Sequence, residues 1–576
     1  MDAKTQIIKS IELAVSEMAG ESLEINLDIP SDTQHGDYSS NAALQLSKKM
    51  GKSPQEIANG LKSKIESWNL EVLEKIEVAG PGFLNFYLSP EYLSKNLNVI
   101  LEKKETYGTS DINSGKKVIV EFSSPNIAKP FTVGHLRSTI IGNSLSNILE
   151  TSGWQVYKDN HLGDWGTQFG KQIYAIKEWG NEEEVEKSAN PVKDLVALYV
   201  KFHEEAEKNP ELEEKARVWF KKLEDGDSEA RRLWQKCIDW SFREFDKLYK
   251  ELGVTFTENN GRGFGESYFE DKMQGPISEL KEKNLLKEDQ GAQLVYFQDD
   301  KYPPLMIIKQ DGATLYSTRD LATDKFRLDT YGSEVKIINE VGIEQSLYFQ
   351  QLYELEKLLG WVKEGQRVHM RHGHYRFKDA KMSTRKGNTI WLEDVLKEAV
   401  EKAKSIGKDK ESVGVAKDIG IGALKWNDLK RNPVQEIVFD WADILNMEGN
   451  SGPYMQYAYA RTQSILSKSK IVNSEFRILN CELEEKELLS KLQHYPEIIL
   501  TASETLSTSL ICNYLYELAK NFNLFYEKHR ILPSVIASEA KQSQEVTDFR
   551  LQLTAAVGQV LKNGLTLLGI TTPSKI

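Results

Sequence analysis

Cysteine is scarce in this 576-residue chain: Cys237, Cys481 and Cys512 are scattered, and no two stand in a CxxC pair. A disulfide framework and a cysteine-based zinc site are therefore excluded. Long apolar runs are missing too. No stretch approaches the ~18 uninterrupted apolar residues of a membrane helix. The start, Met1–Ala19, has an amphipathic pattern without the apolar block of a secretory leader. A reducing cytoplasm, with no membrane partner, is the expected setting. Positive charge is short: the formal net charge is −12, and positions 1–100 hold nine Lys and no Arg against fourteen Asp and Glu. Bulk attraction to a polyanion is thereby excluded, and any nucleic-acid contact must come from local patches and shape.

What is present is an ordinary globular composition, 40% apolar and 28% charged. The length is about four times a ~150-residue domain and predicts two to four domains. The first hundred residues read as a small α+β module. Helices are expected near Thr5–Ala19, Asn41–Lys49 and Pro54–Ser67, and a hairpin joins Ile76–Val78 to the alternating run Phe83–Leu88 through Gly80-Pro81-Gly82. Tyr107–Lys117, rich in Gly, Asn and Ser, reads as a linker.

A βαβ pattern follows. Val118–Phe122 is a buried-strand run, a loop spans Ser123–Thr132, and a helix carries Leu136, Ile140, Ile141, Leu145, Ile148 and Leu149 before Gly153. Trp154–Tyr157 is the next strand. Such units build a doubly wound parallel sheet of Rossmann type, with ligands beyond the strand carboxyl ends. The charged, helix-prone stretch 181–250 reads as an insertion. Strand Val335–Ile338, helix Ser346–Leu359 and strand Arg367–Arg371 resume the sheet, Lys381–Asn388 is a polar loop, and helices dominate from Asp394 onward.

Two segments carry chemistry. In Ser123–His135 a strand end meets a helix start, where unpaired N–H groups favour anions. Gly134 permits close approach of a ligand, and Thr132 and His135 can donate to a phosphate as charge develops on it. In Lys381-Met382-Ser383-Thr384-Arg385-Lys386-Gly387-Asn388, three cations in six residues suit a pyrophosphate leaving group. Taken alone, this loop reads rather as a solvated basic surface.

Together and in this order, Thr132–His135 and Lys381–Arg385 resemble the HIGH and KMSKS signatures of class I aminoacyl-tRNA synthetases. Longer segments narrow the resemblance to the arginyl-tRNA synthetase family: SSPNIAKPFTVGHLRSTII (Ser123–Ile141), DNHLGDWGTQFG (Asp159–Gly170), YSTRDLAT (Tyr316–Thr323) and GPYMQYAYAR (Gly452–Arg461). His35–Lys49, Gly80–Leu88 and Leu561–Ile570 extend it over nearly the whole chain. The resemblance implies an α/β multidomain protein: an N-terminal domain at 1–108 that contacts the tRNA elbow, a class I catalytic domain at 116–449, and a helical DALR-type anticodon-binding domain at 450–576. It implies an arginine–tRNA ligase using ATP, with substrate-associated Mg²⁺, no protein-bound metal, tRNA(Arg) as partner, and a monomer.

The residue roles follow from the same resemblance. ATP falls to Thr132, Gly134, His135, Lys381, Met382 and Ser383. Catalytic roles fall to Thr132, His135, Lys129, Lys381, Arg385 and Lys386. The chain departs from the signatures at Thr132, which cannot carry charge, and at Thr384, where the second lysine of the loop is missing. Lys129, Arg385 and Lys386 compete to replace that cation. A guanidinium, planar and always protonated, selects carboxylates and amide oxygens. Tyr316 and Asp320, at i and i+4, are expected to grip it. Glu266, Asn126, Gln345 and Ser124 complete the arginine pocket, and His161, Asp164 and Gln168 line its rim. His369, His372 and His374 are assigned to packing, because residues along one strand project to different faces. Phe83 and Asn85 are expected at the tRNA elbow, although Phe83 equally fits a core. Tyr454, Tyr457, Ala458 and Arg461 share one helix face that reads mostly as a core stripe, and of these Arg461 is expected at the anticodon. Another class I enzyme, or a tRNA-binding homologue without turnover, remains an alternative reading.

Overall fold

A computed structural model describes residues 2–30, 32–377, 390–406, 413–469, 481–532 and 544–576. At the N-terminus, helix Ala3–Ala19 starts on Asp2, whose carboxylate accepts the Thr5 N–H. Helix Pro54–Ser67 opens on a capping box between Ser53 and Glu56, with Pro54 in the first turn. These helices and Ala42–Met50 cover an antiparallel sheet ordered Tyr38–Ser40, Phe83–Leu88, Leu73–Ala79. The expected alternation in Phe83–Leu88 does not hold, since every residue but Phe83 is buried. Asp28 pairs with Ser39 by an isolated antiparallel bridge, and the Asp37 N–H donates to the Phe86 carbonyl at 2.8 Å.

This unit rests on the helix Leu483–Thr505. Tyr107 donates to the Leu492 carbonyl at 3.0 Å, Ser490 donates to Asp37, and Lys4 pairs with Glu497. The two ends of the chain thus pack together beside the middle.

The middle is a four-stranded parallel sheet. Its spatial order is Gln155–Asp159, Lys117–Glu121, Lys336–Gly342, Arg367–His372, which is order 2-1-3-4 along the chain. Direction of winding reverses between the second and third of these, so a crevice opens beyond Glu121 and Gly342. Helix Val133–Thr151 forms the first crossover. It lies so close that a Cβ on Gly142 would sit 2.2 Å from Phe122, a position only glycine fits. The second crossover carries the insertion, helices Glu182–Lys187, Pro191–Lys208, Glu211–Glu224 and Ser228–Leu252.

Two pieces of β-structure were not expected from the sequence. An antiparallel sheet of Leu286–Asp289, Ala292–Val295 and Leu305–Ile308 precedes helix Tyr316–Tyr331. Ile437–Phe439 pairs in parallel with Tyr375–Phe377, interrupting the helices after residue 394. Strands of three or four residues are too short to show a period. Beyond them run helices Gly452–Leu466, Leu483–Thr505, Thr508–Lys528 and Gln544–Leu567. Among the described residues, no helix is long and apolar enough to cross a membrane.

Candidate active site

The loop from Ser123 to Thr132 leaves the sheet through backbone that L-residues rarely adopt. Ser123, Ser124 and Ala128 have φ of 73°, 43° and 57°. Side chains from neighbouring elements hold it there. The Ser123 N–H donates to Ser138 Oγ at 2.8 Å, that of Ser124 to Asn160 Oδ1 at 3.1 Å, and that of Ala128 to Ser241 Oγ at 3.0 Å. Strain maintained in this way marks a loop built to present groups.

At its end Thr132 caps the helix Val133–Thr151. The Thr132 N–H and Oγ1 both lie 3.0 Å from His135 Nδ1. Because Nδ1 accepts the backbone N–H, the ring proton sits on Nε2, which is free to donate. Burial, aided by the nearby His372, lowers the His135 pKa to about 4, so the ring is neutral at pH 7. The Thr132 hydroxyl therefore orients the imidazole rather than facing outward. Gly134 is exposed, and a Cβ there would meet only Thr132 Oγ1 at 3.4 Å. Lys129 is half-buried.

Arg137, two residues past His135, is 1% exposed. Its Nε lies 3.1 Å from Asp428, and its other nitrogens donate to the carbonyls of Gly373 (2.7 Å), Pro433 (3.0 Å) and Gln435 (3.0 Å). A second tie joins Thr132 to Trp391 by an antiparallel bridge, with Leu392 N–H donating to the Phe131 carbonyl at 2.9 Å. Segments on both sides of the basic loop are thus fastened to the signature loop and its helix. The loop itself, with Lys381, Met382, Ser383, Arg385 and Lys386, lies outside the described residues.

The crevice holds a cavity of about 310 Å³. Of the residues expected for arginine, Ser124, Glu266, Tyr316, Asp320 and Gln345 line it, as does His161. Asn126 does not; it is exposed, with its amide against Gly163. Of the expected rim, Asp164 is spent on Ser267, whose N–H and hydroxyl donate to it at 2.8 and 2.7 Å. Gln168 turns back to the Trp165 carbonyl at 2.9 Å.

Asp320 is pushed up to about 6 by burial, which outweighs His161 and a hydrogen bond from the Tyr348 hydroxyl. His161 Nδ1 lies 3.0 Å from the Phe264 carbonyl, and Nε2 lies 3.9 Å from Asp320 Oδ1. Burial works against its charged form, but Glu121 and Asp320 outweigh it and raise its pKa. Glu266 pairs with Arg319 at 3.2 Å, and its pKa is raised by burial against that guanidinium. Among the described residues the hydroxyl of Ser124, which lines this space, has no hydrogen-bond partner.

Beneath lies an ion network that the motifs did not reveal. Arg327 binds Glu121 at 2.6 Å, Asp159 at 2.7 Å and Asp324 at 3.2 Å. Arg367 binds Asp324 at 2.7 Å and Glu356 at 3.2 Å. Asp324 and Arg327 continue the Asp320 face at i+4 and i+7, a spacing that was available in the sequence. Carboxylates outnumber guanidiniums here, so the cavity favours a cationic ligand.

The three histidines diverge. His369 lies 3.2 Å from the Val341 carbonyl, His372 pairs with Glu340 at 2.8 Å, and His374 with Glu344 at 3.3 Å. At the periphery, Phe83 is 39% exposed, but Asn85 is 4% exposed and accepts the Ser39 hydroxyl at 2.8 Å. The expected elbow contact of Asn85 is therefore corrected: it is an interior residue of the sheet. Arg461 lies over the rings of Tyr457 and Tyr526, each at 4.9 Å, and donates to Asn523 at 2.6 Å.

Comparison with known proteins agrees with this arrangement. A family model described as tRNA synthetases class I (R), catalytic domain, matches residues 96–441. The Arginyl tRNA synthetase N terminal domain matches 4–88 and the DALR anticodon binding domain 455–576. The chain is 42% identical to the arginine–tRNA ligase of Clostridium perfringens and 41% identical to that of Halothermothrix orenii, over 100% of both chains in each case. Its fold superposes on arginyl-tRNA synthetase from Plasmodium falciparum with a TM-score of 0.81 at 25% identity, covering 100% of both. The Thermus thermophilus structure shares the fold at the same TM-score and 22% identity. With the catalytic model spanning more than half of its length and relatives of this identity from end to end, the chain belongs to the class I arginyl-tRNA synthetase family.

Proposed function

We propose that the cavity beyond Glu121 and Gly342 binds the arginine side chain, and that His135 with the basic loop handles the phosphates of ATP. The reaction is that of the family, ATP-dependent ligation of arginine to tRNA. In the first step a carboxylate oxygen of arginine attacks the α-phosphorus and pyrophosphate leaves, giving arginyl-adenylate. In the second, a terminal ribose hydroxyl of the tRNA attacks the carbonyl carbon, and AMP leaves. Neither step needs a covalent enzyme intermediate, so positioning and charge stabilisation carry the work.

The observation that supports the arginine assignment most strongly is the acid-rich cavity with Asp320 lining it. Its carboxylate and the Tyr316 hydroxyl meet the guanidinium. Glu266, Gln345 and Ser124 face the α-amino end, with the exposed Asn126 beside them. His135, neutral and with its proton on Nε2, donates to the phosphate, while Thr132 holds the ring. Lys129, Lys381, Arg385 and Lys386 supply the cations, and Gly134, Met382 and Ser383 lie along the nucleotide. Mg²⁺ enters on the ATP phosphates as part of the substrate. Among the described residues no group of three His, Cys, Asp or Glu side chains is arranged to hold a metal ion.

The domain roles proposed are elbow binding by 1–108, catalysis by 116–449 and anticodon binding by 450–576. Phe83 and Arg461 are the surface contacts proposed for tRNA. A monomer in a reducing cytoplasm is the accompanying proposal, in keeping with three unpaired cysteines, two of them buried.

Arginine-dependent exchange of pyrophosphate into ATP, run with and without tRNA and with lysine and citrulline as controls, tests the reading. Exchange with arginine alone supports the pocket. A requirement for tRNA, expected of this family, would add the coupling between the two. Loss of exchange in all conditions, with tRNA still bound, would favour a homologue without turnover.

A further inference from the structure

Tyr348 entered none of the motif arguments, yet it lines the cavity. It stands on helix Ser346–Leu358, three residues after Gln345, and its hydroxyl donates to Oδ2 of Asp320 on the opposing helix Tyr316–Tyr331. Its ring meets that of Tyr316 edge-on, with centroids 4.8 Å apart. Tyr316 itself is 55% exposed at the mouth. One side chain thus touches both groups assigned to the guanidinium.

We infer that Tyr348 is a positioning residue for arginine specificity, which aims the Asp320 carboxylate into the cavity and braces Tyr316 beside it. The inference rests on Asp320 being the guanidinium acceptor. Among the described residues, Tyr348 is the sole hydrogen-bond donor to the Asp320 side chain. An aspartate turns freely about its last torsion, which has broad wells. Left unheld, this carboxylate has a competing cation at hand, His161 Nε2, 3.9 Å from Oδ1. Rotation toward that imidazole would draw the charge away from the ligand. With Oδ2 held by the phenol, Oδ1 and the remaining lone pairs point where a planar fork of N–H donors can reach them. The phenol also favours the ionised carboxylate, which a guanidinium needs and a neutral ureido group does not.

The test is a cycle of Tyr348→Phe, Asp320→Asn and the double variant. Arginine KM, kcat, ATP KM and the acid limb of kcat/KM for arginine are read for each. Tyr348→Phe is expected to raise arginine KM about tenfold, the size of a lost hydrogen bond to a charged group. The value of kcat and ATP KM should hold, and the acid limb should move to higher pH. In the Asp320→Asn background the same change should add nothing, and Tyr348→His, which keeps a donor, should recover part of the arginine affinity. A damaging Asp320→Asn with Tyr348→Phe at wild-type KM and acid limb would overturn the inference. So would an equal effect of Tyr348→Phe in both backgrounds, which marks a structural role. A harmless Asp320→Asn would instead sink the reading of the pocket on which the inference depends.

Discussion

The floor and the rim of the cavity beyond Glu121 and Gly342 are built from the same residue types and behave differently. On the floor, Glu121, Asp159, Asp324 and Glu356 share Arg327 and Arg367, and all six side chains are at most 9% exposed. On the rim, Arg319 pairs with Glu266 and Glu270, whose side chains are 27% and 26% exposed. Taking charge out of water costs far more than a surface pair returns, so a buried network persists only if every member is paired. The floor is therefore a fixed electrostatic template, while the rim pairs can exchange partners when a ligand arrives.

Removing one guanidinium from each layer would break the comparison most forcefully. Arg327→Met strands Glu121 and Asp159 in the interior and is expected to cost about 3–5 kcal/mol of stability. Arg319→Met loses pairs that are partly open to solvent and is expected to cost ~1 kcal/mol. Thermal or urea unfolding of both variants measures the gap. Equal losses would mean that floor and rim are a single network.

Proton uptake should sharpen the contrast with a smaller effect. Burial holds Asp320 at about 6, so the carboxylate gains a proton as the pH falls through that value and lets go of the guanidinium. His161, whose pKa is also raised, becomes positive in the falling direction and opposes the ligand further. Both signs agree, so kcat/KM for arginine should fall below about pH 6. A flat profile for arginine from pH 7 to about 5 would show that Asp320 does not control binding.

Much of this organisation was legible in the sequence because it depends on local pattern. The run Val118–Phe122, the helical spacing to Leu149 and the stop at Gly153 predict the strand and helix that are found within a residue or two. Pro54 after Ser53 marks its helix start to the residue. The floor was hidden for a physical reason. Asp320, Asp324 and Arg327 form a charged helix face, and such a face ordinarily looks to solvent. Only the sheet beneath it, with Glu121 and Asp159 at adjacent strand ends, turns that face inward, and the pairing is non-local. Asn85 failed in the opposite direction. A polar residue in a hairpin reads as exposed, but Asn85 lies in the middle strand of its sheet at 4% exposure, and Ser39 satisfies its amide oxygen.

The smallest expected effect lies farthest from the cavity. Arg461 is clasped by Tyr457, Tyr526 and Asn523, so its guanidinium is already organised, and Tyr526 is 43% exposed beside it. An arginine plane fixed against aromatic rings, one of them partly exposed, offers stacking and charge to an unpaired base. Arg461→Met keeps much of the apolar contact and removes the charge. Binding of tRNA should weaken about fivefold, with a salt dependence shallower by about one ion. At saturating tRNA the arginine KM should stay at its wild-type value, because the floor of the cavity is held by its own pairs and not by the anticodon end. A rise in arginine KM under that condition would mean that the helical domain reaches the cavity energetically, and the floor could no longer be regarded as self-sufficient.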